Sequence, residues 1–389
     1  MKIAQVTSYF KPFMVGGAEW YVYNISRELV KAGHEVVVFT ADRYGDIRAP
    51  PMENIGGIKV RRLPLRIDWS YRAKVWDGLR EALVEEDFDV IHTYDYAQMH
   101  SLDALNAAKA AGVGSALTVF DVHSAIPRGW AKRLPMKLVD SYFSSRAFSM
   151  ATRILVRAPQ LVSMLPNLNG NEVKVRITPS GVREESLGVF DGEEFKQTHS
   201  ISGSPVVLFM GRLNPLKGPQ HVLAAATMLV NEFPGMELVF VGADQGGFQS
   251  TLQRQAETLG LSARVHFTGM IDDFEEKMRA LASCDVFVLP SSYEGTSQAI
   301  FEAMAQCKPV VATRTGGIPF QVENGVHGYL AEYGDLNELA RAIALVLRDR
   351  RGAVEMGRRG RERAAEVSYP RLAEGLQSIY GEIVAAVGN

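Results

Sequence analysis

Three stretches of this 389-residue chain bring together residue types that could do polar chemistry. The first runs from Pro290-Ser291-Ser292-Tyr293-Glu294-Gly295-Thr296-Ser297 through Glu302. It leaves an apolar, strand-like run (Asp285–Pro290) and enters a helical one. A carboxylate at a strand's carboxyl end stands where open α/β sheets bind ligands. The amides of Gly295, Thr296 and Ser297 are expected to be free donors at a helix N-terminus, suited to an anion or a sugar oxygen. Glu294 and Glu302 could reach different ends of one polyhydroxylated ligand. Their spacing alone equally fits a helix cap and a surface carboxylate. The second stretch, Gly211-Arg212-Leu213-Asn214-Pro215-Leu216-Lys217-Gly218, also follows an apolar run. A guanidinium fork and a lysine point charge suit a diphosphate, and a helix opening at Pro219 favours negative charge. Two surface cations in a loop are the plainer alternative. The third stretch is Gly16-Gly17, between the first strand-like and first helix-like runs, where paired glycines allow close backbone approach. No G-x-G-x-x-G follows that strand, which argues against a nicotinamide or flavin site.

Elements that could position these residues alternate along the chain. Lys2–Ser8, Glu35–Thr40, Asp89–His92, Ser115–Phe120 and Arg153–Val156 read as strands, and Ala18–Ala32 as an amphipathic helix closed by Gly33. The rhythm breaks near Ile177–Gly181, and a polar linker is expected over Arg183–Ser204. It resumes with strands at Pro205–Met210, Glu237–Val241, Arg264–Thr268, Asp285–Pro290 and Pro309–Thr313. This βαβ alternation predicts an α/β protein of two tandem, Rossmann-like, doubly wound domains facing a cleft, spanning 1–185 and 200–369.

Composition narrows the class. Hydrophobic residues are 47% and charged residues 22%, as in globular proteins, and a net charge of -2 disfavours a nucleic-acid partner. Two cysteines, Cys284 and Cys307, are too few for a disulfide framework, suit a reducing compartment and are expected to be buried. No apolar run approaches the ~18 residues of a membrane helix, and the N-terminus reads as a strand rather than a signal peptide. A cytoplasmic protein is expected. Residues 128–157 carry seven basic residues against Asp140, interleaved with Trp130, Tyr142, Phe143 and Phe148. They could touch an anionic membrane surface or simply form a solvated helix face. Asp87-Phe88-Asp89 enters a first-domain strand and reads as structural. His92 reads as a satisfied core histidine, and no metal site is expected.

Taken in order, the motifs resemble the glycosyltransferases of the GT-B fold, in the large retaining family 4. The Gly16-Gly17 loop, the G-R-L-x-x-x-K-G segment at Gly211–Gly218 and the P-S-x-x-E-G…E-A-M-A segment at Pro290–Ala305 all carry it. Pro309–Thr313 followed by Gly316-Gly317 completes the set. The resemblance implies that Arg212 and Lys217 hold a donor diphosphate and that Glu302 takes the nucleotide ribose hydroxyls. It places Glu294 at the transferred sugar beside Gly295, Thr296 and Ser297, and it has Thr268-Gly269-Met270 frame the base. Gly16, Gly17, Gly211 and Gly242 would line the donor. Many relatives carry T-x-H-D at the end of a first-domain strand. Here the segment is Thr118-Val119-Phe120-Asp121-Val122-His123, so Phe120 replaces the histidine, Asp121 is retained and His123 is a candidate substitute. Phe320 departs likewise, where a glutamate is common. The resemblance implies retaining transfer from a UDP- or GDP-sugar to a hydroxyl acceptor, lipid-linked or glycan, with no metal or cofactor. A last helix over 370–389 would cross back to the first domain. A nucleotide-sugar epimerase or a non-catalytic nucleotide-sugar binder is the alternative.

Overall fold

The computed structural model describes residues 1–14, 16–68, 74–122, 130–168 and 170–388, with the backbone alone for 130–136. The chain divides into two compact units, Met1–Ser180 with Tyr369–Asn389, and Gly181–Ser368. Each is built on its own largely parallel sheet.

In the first unit the main strands are β1 (Lys2–Val6), β2 (Glu35–Ala41), β3 (Met52–Ile55), β4 (Ile58–Leu63), β5 (Val90–Tyr94), β6 (Gly114–Val119), β7 (Arg153–Val156) and β8 (Val175–Ile177). Their spatial order is β8-β7-β6-β5-β1-β2-β4-β3, parallel except for the β3–β4 hairpin. β1, β5 and β6 are buried almost throughout because helices cover both faces. One cover is the C-terminal helix Tyr369–Val387, which packs against β6 and against the helix Gly17–Lys31. Gly114 makes room for it: a Cβ there would lie 2.4 Å from the Ile383 methyl.

The same helix closes a buried polar network. The Tyr380 hydroxyl meets His92 Nδ1 at 2.7 Å and accepts from Gln5 Nε2 at 3.2 Å, while His92 Nε2 meets the Thr118 hydroxyl at 2.7 Å. Burial pushes the His92 imidazole down to about 3, helped by the nearby Arg157 charge. His100, fully buried and stacked on Trp76 at 4.5 Å, is likewise pushed down to about 3 by burial.

In the second unit the strands are β9 (Val206–Met210), β10 (Glu237–Val241), β11 (Val265–Gly269), β12 (Val286–Leu289), β13 (Val310–Thr313) and β14 (Gly328–Ala331). All pairs are parallel, in the order β11-β10-β9-β12-β13-β14. This doubly wound order reverses between β9 and β12, which makes that point the expected ligand crevice.

The stretch expected as a linker is part of this second unit. Asp191 caps the helix Gly192–Thr198, whose Phe195 is fully buried. Gly192 lies so close to the Ala282 and Ser283 backbone that a Cβ would sit 2.6 Å from it. Gln306 Nε2 and Arg361 tie down the Ser186 and Leu187 carbonyls. The acidic residues that suggest a linker are the solvent side of a packed segment, so the unit boundaries fall at Ser180/Gly181 and Ser368/Tyr369. Of the two cysteines, Cys284 is buried, with its thiol pushed up to about 12, but Cys307 is exposed because it closes a helix in the left-handed conformation.

Both buried imidazoles stay neutral in the folded protein, whereas the unfolded chain protonates them below about pH 6.5. Their stabilising contribution is therefore complete above that pH and is lost as pH falls towards 3. Unfolding followed by urea at stepped pH should show this acid limb. His100→Phe, which keeps a ring against Trp76 without a titrating nitrogen, should make the limb shallower.

Candidate active site

At the switch point of the second unit, loops leaving the carboxyl ends of β9, β10, β12 and β13 rest on one another's backbones. After β9, the Gly211 amide donates to the Val241 carbonyl at 2.9 Å. Gly242, at φ +147°, brings its α-carbon against the Gly211 carbonyl, where a Cβ would be 2.0 Å away. Gly218, at φ +78°, lies against the Pro290 carbonyl, where a Cβ would be 2.1 Å away, and the Ser292 amide donates to the Leu216 carbonyl at 2.8 Å. Gly316, at φ +52°, approaches the Glu294 carbonyl so closely that a Cβ would be 1.8 Å from it. The Gly317 amide donates to that same carbonyl at 2.9 Å. Only glycine tolerates both the positive φ and the contact.

This scaffold fixes two buried carboxylates. Lys217 Nζ donates to Glu294 Oε1 at 2.6 Å, and the Ser291 hydroxyl donates to the same oxygen at 2.8 Å. Lys217 is itself held by its backbone amide, which donates to Asn214 Oδ1 at 3.0 Å, and Asn214 Nδ2 donates to Gln245. One turn into the helix Gln298–Ala305, Glu302 is 4% exposed. Its Oε1 accepts from Lys277 Nζ at 2.6 Å and from Gln298 Nε2 at 3.1 Å. The two acids are thus built alike: a lysine and a neutral donor converge on Oε1, and nothing among the described residues bonds Oε2. Arg212, one residue beyond Gly211, is exposed, and its guanidinium has no partner among the described residues. Among those residues there is also no group of three or more His, Cys, Asp or Glu able to hold a metal ion.

Of the sequence-predicted residues of the second unit, Gly211, Arg212, Lys217, Gly242, Glu294 and Gly295 lie on these interlocked loops, and the expectation for Ser297 needs a correction. The Ser297 amide is not free: it donates to Gln321 Oε1 at 2.7 Å, and Gln321 Nε2 returns a bond to the Ser297 carbonyl at 2.7 Å. Gln321 reaches it from a short helix that follows Gly317, and so caps the helix opening at Gln298. Thr296 also has an interaction of its own, which leaves Gly295 as the amide without a bond among the described residues. Met270 follows the end of β11 and is 62% exposed.

Gly16, Gly17 and Asp121 belong to the first unit. Gly16 precedes the helix that opens at Gly17, and Asp121 follows β6, half-buried. His123 lies outside the described residues. Phe120 stacks on Tyr94, with centroids 5.6 Å apart, and meets Tyr21 edge-on at 5.7 Å. The buried Arg157 guanidinium lies 4.4 Å from the Phe120 ring centroid, while its Nη1 donates to the Thr178 and Pro179 carbonyls. The ring is thus part of an aromatic–cation stack. His92 is fully buried in the network above.

Sequence reasoning missed Lys277, Gln298 and Gln321 as parts of the site. Ser291 was inside the motif that pointed to it. Lys277 sits in a helix, Phe274–Ala282, whose pattern is that of an ordinary amphipathic cover, and nothing local marks it.

Known protein families resemble this chain over both units. A family model for glycosyl transferases group 1 matches residues 191–363, and one for a glycosyl transferase 4-like domain matches residues 16–181. The D-inositol 3-phosphate glycosyltransferase of Mycolicibacterium smegmatis is 29% identical over 95% of this chain and 87% of its own. The MMP alpha-(1->4)-mannosyltransferase of Mycolicibacterium hassiacum is 28% identical over 100% of this chain and 99% of its own. Among solved structures, Anabaena Alr3699/HepE in complex with UDP superposes with a TM-score of 0.80 at 19% identity, covering 98% of this chain and 100% of that one. Family models on both halves, relatives along the full length and two Rossmann-like sheets agree: this chain belongs to the group 1 glycosyltransferases of family 4 and is a glycosyltransferase of the GT-B fold.

Proposed function

We propose that the enzyme transfers a sugar, with retention of anomeric configuration, from a nucleoside diphosphate sugar to a hydroxyl acceptor. The observation that carries this reading is the pair of buried, lysine-clamped carboxylates of the second unit, together with the Arg212 guanidinium, which has no partner among the described residues. In it, Arg212 and Lys217 take the diphosphate. Negative charge builds there as the glycosidic bond to phosphate breaks, so cations at that point lower the barrier. The departing phosphate oxygen accepts the acceptor's proton, so no strong protein base is needed and Phe120 is tolerated. Glu302 accepts the ribose hydroxyls, and Glu294 and the Gly295 amide face the transferred sugar. Cations and amides replace a metal.

A uridine donor is supported by the relative Anabaena Alr3699/HepE, which was also solved with UDP-glucose. The acceptor is a polyol or sugar hydroxyl, in keeping with the inositol phosphate and mannosyl chemistry in the names of the sequence relatives. The first unit binds it, with Asp121 in contact. No described helix is long and apolar enough to cross a membrane. The helix Trp130–Met150 instead presents exposed Leu138 and Tyr142, with the Arg146 guanidinium 4.4 Å from the Tyr142 ring centroid. We assign this face to peripheral contact with anionic lipid.

Four outcomes follow. In a thermal-shift panel of UDP, GDP and ADP, one nucleotide should stabilise the protein by about 2.7 kcal/mol at ~100 times its Kd, with or without chelator; no shift with any of them would refute the donor reading. Lys217→Ala and Glu302→Ala should each lower transfer about 100-fold or more, the scale of a lost electrostatic contact. Near-normal rates in either variant would remove its assigned role. Gly316→Ala should lower both stability and transfer, because the added Cβ must push the Glu294 backbone aside. In flotation assays with anionic vesicles at physiological salt, the protein should float; its absence from the vesicle fraction would eliminate the lipid contact.

A further inference from the structure

The clamp on Glu302 has a consequence for nucleotide recognition. Glu302 lies on a helix that packs against the second unit's sheet and is 4% exposed. Burying a carboxylate that deeply is costly unless a cation stands beside it. Lys277 supplies the cation, from a different helix, and contacts Oε1 alone at 2.6 Å. Gln298, one turn earlier on Glu302's own helix, donates to that same oxygen. Both donors therefore anchor one oxygen and leave Oε2 with its lone pairs unused among the described residues.

We infer that Lys277 is a positioning residue for ribose recognition: it holds Glu302 by Oε1 and turned so that Oε2 is open to a vicinal diol. This rests on the reading that Glu302 takes the ribose hydroxyls. It adds a specificity determinant, since the preference for a ribonucleotide then depends on a lysine that does not itself contact the sugar.

The test is calorimetric binding of UDP, GDP and ADP, each beside its 2′,3′-dideoxy analogue, to wild type, Lys277→Met, Lys277→Arg and Glu302→Gln. Wild type should prefer its ribonucleotide over the dideoxy form by about 10-fold or more, as a site built to bond hydroxyls does. Lys277→Met should lose most of that preference while its dideoxy affinity stays within about 2-fold, since only the diol contact depends on the charge. Lys277→Arg should keep the preference. If Lys277→Met keeps the full preference, or weakens ribo and dideoxy forms alike, the inference is overturned, the second result pointing to a scaffold or phosphate role. Glu302→Gln separates the two levels: if that variant keeps the full ribose preference, the reading of Glu302 fails. Wild type binding none of the three nucleotides overturns the donor reading.

Discussion

A carbonyl oxygen can rest against an α-carbon only where no Cβ intervenes, and the second unit uses that fact three times at one point. Gly242 on the Gly211 carbonyl, Gly218 on the Pro290 carbonyl and Gly316 on the Glu294 carbonyl lock the loops of four strands together. All three glycines have positive φ, so any other residue there would be both strained and in collision. Everything polar at the switch point hangs from these contacts. The chain segments carrying Arg212, Lys217 and Glu294 lie outside the named strands and helices, and their one strand-like pairing among the described residues is an isolated bridge between Leu213 and Asp244.

On that scaffold the charges are arranged in compensated pairs. Burying a lone carboxylate is costly, and removing the partner of a buried pair costs more than the pair contributes. Glu294 and Glu302 each have a lysine at 2.6 Å, from a loop in one case and a helix in the other. The pairs make the burial of these charges tolerable. In the proposed reaction they also make the site responsive: an arriving diphosphate meets Arg212, whose guanidinium has no partner among the described residues, and competes for Lys217, which shares its charge with Glu294.

The first unit spends its buried polar groups differently. His92, Tyr94, Gln5, Thr118 and Tyr380 satisfy one another in a dry network that joins the C-terminal helix to the sheet. Phe120 and Arg157 form a second, partly aromatic arrangement. Phe120 stacks on Tyr94 and offers its ring to the Arg157 guanidinium, so the departure from the family pattern is matched by its surroundings.

Much of this was legible in the amino-acid order. Alternating apolar and amphipathic runs specify parallel sheets covered by helices, because each period suits one kind of buried face. Glycine-punctuated segments after strands marked the loops of the switch point, since strand ends and helix starts have local signatures. What the order could not reveal was whatever depends on distant segments meeting. Strand order, and with it the switch point, arises from crossovers. The acidic stretch at 183–204 looked like a linker because its packed residues, Phe195 above all, are outnumbered by solvent-facing ones. The Ser297 amide looked free because Gln321 lies 24 residues away in sequence. Lys277 carried no motif at all: its role comes from a helix packing that sets its ammonium beside Glu302. Local chemistry and periodicity are written along the chain, but which charge neutralises which is decided by contacts that form only when the sheet has been wound.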